Sequence, residues 1–119
     1  MTSNSSLAQV YTLISDWDLR CGVAVDQSWD CIPSTYDNTY YFNEKTNEWS
    51  YESTYGITKY YAYNVKRYQG EVRELSFEYE TNSGGIWRVY VDLFKMTITM
   101  VSDNNPMVWT FYLSEAYHS

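Results

Sequence analysis

Between Trp17 and Leu113 apolar and polar residues alternate, the two-residue period of half-buried strands and not the 3.6-residue period of helices. In residues 17–25, Trp17, Leu19, Cys21, Val23 and Val25 share one face, and Asp18, Arg20, Gly22 and Ala24 the other. A loop over 26–37, marked by Pro33, follows. In TYYFNEKTNEWSYES (39–53), Tyr40 and Phe42 point one way, Glu44-Lys45-Thr46-Asn47 turns the chain, and Trp49 and Tyr51 return on the same face. Ser50 and Glu52 lie between these rings, so the rings are expected inside. A long strand over 58–68 turns at Gln69-Gly70-Glu71 into one over 72–81, with Leu75, Phe77 and Tyr79 inward against Glu74, Ser76, Glu78 and Glu80. Asn82-Ser83-Gly84 reads as a hairpin loop with glycine at the left-handed position. Trp87, Val89, Val91 and Leu93, then Met96, Ile98 and Met100, then Met107, Trp109, Phe111 and Leu113 continue the inward face.

The N-terminal segment reads differently. Leu7, Val10, Tyr11 and Ile14 fall at helical spacing, with Asn4, Ser5 and Ser6 as N-cap candidates. This predicts one helix over 5–16, so that residues 1–16 pack on the strands or cap them. About eight strands joined by short loops must pair antiparallel, and closing the sheet removes its exposed edges. The expectation is an all-β fold, one domain over 1–119: an up-and-down antiparallel barrel of about eight strands with one short N-terminal helix. Such an interior is filled by side chains or holds one small ligand.

Composition narrows the function classes. The net charge is −7, which disfavours nucleic acid and anionic membrane surfaces as partners. No apolar run is long enough to cross a membrane as a helix. Two cysteines, Cys21 and Cys31, and a single histidine, His118, make no zinc set, and no phosphate loop or catalytic triad is visible. Neither a metal nor a cofactor is therefore expected. Whether the cysteines pair stays open. The chain shows no secretory signal, so a cytoplasmic location is expected, with secretion after removal of a signal as the alternative.

Ser15-Asp16-Trp17-Asp18-Leu19 after a leading helix, together with the hairpin TYYFNEKTNEWSYES, resembles the calycins, the lipocalin-like barrels. Lipocalins open their first strand with Gly-x-Trp. Trp17 matches that tryptophan and Ser15 stands where glycine is expected. The resemblance implies that Trp17 plugs the closed end of a barrel.

Aromatic residues make up 19% of the chain, with 14 Tyr and 5 Trp, more than a small packed barrel built on aliphatic residues needs. Inward rings bearing hydroxyl or indole groups suit a cavity for a flat, partly polar molecule. In one register of the 58–81 hairpin, Tyr61 faces Tyr79, Tyr63 faces Phe77, Val65 faces Leu75, and Arg67 faces Arg73. Two opposed arginines would anchor a carboxylate or phosphate, or would pair with acids at a wet rim. The inverted register turns Arg67 outward. The candidate ligand residues are Phe42, Trp49, Tyr51, Tyr61, Tyr63, Arg67, Arg73, Phe77, Tyr79, Trp87 and Trp109. The expected function is a binding protein for a small aromatic or amphipathic anion. A cofactor-free cyclase or isomerase using interior tyrosines is one alternative. The other is an inhibitor or adaptor that binds a protein through Tyr60, Tyr68, Tyr90, Tyr112 and Trp29; a homodimer is a separate partner expectation with no surface assigned to it. The 26–37 loop is then a lid over the mouth or an inhibitory loop.

Overall fold

The computed structural model describes residues 10–24, 26–67, 74–102 and 106–118. The strands are β1 (Val10–Val23), β2 (Trp29–Ser34), β3 (Asn38–Asn43), β4 (Glu48–Ser53) and β5 (Gly56–Tyr61). They continue as β6 (Tyr63–Arg67), β7 (Glu74–Glu80), β8 (Ile86–Asp92), β9 (Thr97–Ser102) and β10 (Met107–His118). One antiparallel sheet runs in the order β5-β4-β3-β1-β10-β9-β8-β7-β6, with β2 also paired to β1. β5 and β6 sit at opposite ends of that order yet follow each other through Ala62, so the chain itself bridges the two edges and nearly closes a barrel. Tyr60 on β5 packs at a tilt against Tyr79 on β7 across this seam, with ring centres 4.7 Å apart.

Ten strands replace the expected eight for two reasons. The 26–37 segment contributes β2, which pairs with residues 18–23 of β1 while β3 pairs with residues 10–15, so the two form one broken stave. The 58–68 strand is split at Ala62 into β5 and β6. β3, β4, β7, β8 and β9 fall where the alternation puts them, while β1 begins earlier and β10 runs on to His118.

The expected helix is not formed among the described residues: residues 10–16 are the start of β1, while residues 1–9 lie outside the description. The sequence Val10-Tyr11-Thr12-Leu13-Ile14 is dominated by β-branched and aromatic residues, which favour strands. It also supports a period of two, with Tyr11 and Leu13 buried. Pairing with β3 on one side and β10 on the other satisfies the backbone groups on both edges of this segment.

Bulges then rephase the strands. β1 shifts register against β10 between Ile14 and Trp17. Asp16 and Trp17 both point outward, Asp18 turns inward, and the outward face of the second half of β1 becomes the apolar one. Trp17 is therefore not a plug: it is 40% exposed and stacks on Tyr112 outside the barrel, with ring centres 4.0 Å apart. A second shift, between Tyr63 and Lys66, turns Tyr63 and Asn64 outward together, Asn64 adopting φ 53°. β5 and β6 thus combine the two facings considered from sequence, with Tyr60 and Ala62 inward before the bulge and Val65 inward after it, but the pairing with β7 follows neither considered register.

Cys21 and Cys31 lie directly opposite on β1 and β2 and form a disulfide. Cys21 is thus not a buried thiol of the barrel interior. The bridge staples a hairpin whose Val23, Trp29 and Ile32 are all more than half exposed. Gly84 takes φ 91° in the β7–β8 loop, the left-handed conformation its position calls for. The barrel core holds Phe42 and Phe77 stacked with ring centres 4.9 Å apart, and around them Leu13, Val89, Val91, Ile98 and Phe111, all at most 2% exposed.

Candidate functional site

Above Phe42 and Phe77 the packing opens into a cavity of about 280 Å3. Its walls are cross-strand pairs: Tyr40 with Tyr51 from β3 and β4, Tyr79 with Trp87 from β7 and β8, and Trp109 with Met100 from β10 and β9. Directly opposed residues share a face, so each pair delivers two side chains to one spot. Trp49 and Phe111 also line it; Trp49 stacks on Tyr40 at 5.2 Å and meets Phe77 edge-on at 5.0 Å. Tyr60 closes the seam side, and Asn38 and Thr81 add small polar groups.

The polar groups of this cavity are under-solvated. Burial pushes the Tyr40 phenol far above the ordinary phenol range, and nearby Tyr79, Asp18 and Tyr51 add to the shift. Tyr79 is raised in the same way by burial, then by Tyr60 and Tyr51. Tyr60 rises through burial and Tyr51. All three are therefore neutral hydrogen-bonding groups across the physiological range. The Trp49 indole N–H is buried without a partner at hydrogen-bond geometry; the Tyr79 phenol is the group it approaches, and that approach slightly offsets the rise at Tyr79. A buried, unsatisfied donor beside an open space is a place where a ligand acceptor gains more than it would in water.

The cavity adjoins a wider groove of about 730 Å3, with Asn38 and Trp109 common to both. There the Trp109 Nε1 donates to Asp18 Oδ2 at 2.6 Å, and the Asp18 residue is 3% exposed. The guanidinium of Arg20 lies 5.7 Å from the Trp109 ring centre, on an exposed side chain. Ser34 to Asp37, from the segment expected to be a lid, line this groove and do not cover the cavity.

Of the residues expected from sequence, Trp49, Tyr51, Tyr79, Trp87 and Trp109 meet in the cavity. Phe42 and Phe77 lie beneath it in the core. Tyr61 and Tyr63 do not line it: they point outward, 66% and 38% exposed, because the phase of β5 is opposite to the one assumed and corrects only at Asn64. Arg67 faces Leu75, not Arg73, which lies outside the described residues. Leu75 stands at the other end of β7 from Tyr79, so Arg67 is remote from the cavity. Arg67 is ion-paired with Glu44 and donates to the Tyr11 hydroxyl at 3.2 Å. His118 meets the second oxygen of Glu44 at 2.7 Å and stacks on Tyr11. Arg67→Gln is accordingly expected to lower stability by about 2 kcal/mol, since it leaves the buried Glu44 carboxylate without its main counter-charge. Denaturant unfolding measures this; a gain in stability would contradict the pairing.

Sequence reasoning missed Tyr60, assigned outward, and Asp18, assigned to the polar outer face. Met100 and Phe111 were legible as inward residues but not as lining. Among the described residues no group of three or more histidine, cysteine or carboxylate side chains converges to hold a metal. No protein-family model, curated protein or solved structure matches the chain.

Proposed function

We propose that the protein binds a small, flat aromatic or amphipathic molecule in the barrel cavity. The observation that carries this reading is the unfilled, ring-walled space of about 280 Å3 in a barrel whose remaining core is tightly packed. Apolar cavities of about 150 Å3 admit benzene, so this one suits a larger one- or two-ring ligand. Ring faces supply stacking area, and the Trp49 N–H with the Tyr40 and Tyr79 phenols supplies a few fixed polar contacts. The anion anchor anticipated at Arg67 has no support, because that arginine is committed to Glu44.

The barrel-enzyme alternative is less favoured. Phenols whose pKa is raised by burial are poorer acids, so Tyr40 and Tyr79 suit holding a ligand better than protonating one. Docking of a protein is the second reading. It rests on the apolar outer face around Trp17, Val23 and Trp29, which are 40%, 51% and 54% exposed. The Cys21–Cys31 bridge favours the oxidising compartment of the secreted alternative over the cytoplasm.

Native mass spectrometry of protein from its own host is expected to show a small-molecule adduct. A cavity-filling Met100→Trp variant should lose the adduct while keeping its β-sheet circular dichroism. An adduct retained by Met100→Trp, or protein that neither carries an adduct nor takes up aromatic fragments, would overturn the reading.

A further inference from the structure

We propose that the cavity selects an organic cation, an ammonium group on an apolar or aromatic body, held by ring faces and drawn in by the Asp18 carboxylate. This deepens the binding reading above and rests on it. The first support is the inventory of the lining among the described residues: seven aromatic rings other than Phe111, two small polar residues, one methionine, and no lysine, arginine or histidine. The face of an aromatic ring carries negative charge density and attracts cations, most strongly for tryptophan. Three tryptophans, Trp49, Trp87 and Trp109, turn toward this space.

The second support is independent of the rings. The Asp18 carboxylate is almost wholly buried, is tied to the cavity wall by the Trp109 indole, and is near enough to act electrostatically on the Tyr40 phenol. A negative charge removed from water needs compensation, and the hydrogen bond from Trp109, a neutral donor, supplies only part of it. Arg20 is the competing cation at the mouth. It is exposed, so solvent screens it, while a buried charge at the same distance acts roughly fourfold more strongly. The adjoining groove carries Asp18 and Asp37 beside Arg20 in a chain with net charge −7, a field that favours a cation over an anion.

The test titrates the whole protein with three probes of similar shape: benzyltrimethylammonium, its neutral carbon isostere neopentylbenzene, and phenylacetate. Tryptophan fluorescence reports binding. The cation is expected to bind at least about tenfold more tightly than either of the others. Asp18→Asn keeps an acceptor for Trp109 and should remove most of that preference while leaving the neutral probe's affinity unchanged. Trp87→Leu keeps the lining apolar and should weaken the cation more than the neutral probe, which guards against a folding defect in the first variant. Phenylacetate binding as tightly as the cation, or an unchanged preference in both variants, would overturn the proposal while binding of the neutral probe leaves the cavity reading standing. Failure of all three probes to bind would overturn both.

Discussion

Raising the pH beyond 10 is expected to destabilise the barrel steeply. Tyr40 and Tyr79 are 5% and 4% exposed, and burial raises both phenols above their ordinary value of 10.0. Below that value both are protonated in folded and unfolded chains alike, and their contribution is fully present. Above it the unfolded chain releases the two protons and the folded chain keeps them. The unfolded state then binds fewer protons, so stability falls as pH rises, by about 1.4 kcal/mol per pH unit for each phenol. Between about pH 10 and about pH 12 the two together remove roughly 5 kcal/mol, comparable to the whole stability of many domains of this size. Urea unfolding midpoints across that range measure the slope. A Tyr40→Phe, Tyr79→Phe double variant should remove most of that slope, since these are the two phenols that burial raises furthest. A midpoint that is flat to pH 12, or equally steep in the double variant, would contradict the burial of these phenols.

Truncating Trp49 is expected to be the most damaging single change in the β3–β4 hairpin. Its side chain is 0% exposed and sits between the cavity and the core, stacked on Tyr40 and edge-on to Phe77. Trp49→Ala joins the cavity to a new void and should cost about 3–5 kcal/mol, through lost transfer energy and lost ring contacts. Trp49→Phe retains a ring and removes the unsatisfied indole N–H, so its cost should be well below half of that. Chemical denaturation of the two variants distinguishes the cases. Similar small losses would mean that Trp49 is not the wall between core and cavity.

The fold was legible wherever alternation ran unbroken. Phe77 and Tyr79, Trp87 and Val89, Ile98 and Met100, and Trp109 and Phe111 all share the inner face as their spacing implies. Half of the cavity followed from this. The remainder depended on single-residue insertions that leave no mark on composition. At Asp16–Trp17 the bulge exchanges the faces of β1, so the apolar series Leu19, Cys21 and Val23 ends outside and Asp18 inside. The same apolar series continued across the bulge, and sequence therefore pointed the wrong way. At Asn64 the shift joins the two facings, each right for half of the strand, while neither pairing holds, because Tyr63 stands opposite Glu78 and Arg67 opposite Leu75. The expected helix gives way to strand over 10–16 because a five-residue segment satisfies two periods at once, and only pairing on both edges of β1 decides between them.

The account stands on a barrel interior in which ring-bearing side chains leave room for a guest. Three methionines give a direct reading of it, because Met100 borders the cavity, Met96 packs toward the other end of the core, and Met107 lies beside the β1–β2 hairpin. In a titration with a panel of one- and two-ring fragments, observed through the methionine methyl resonances, binders are expected to shift Met100 by their ring currents and to leave Met96 and Met107 in place. A panel that moves Met107 alone, or that binds nowhere near Met100, would contradict a ligand cavity in this barrel.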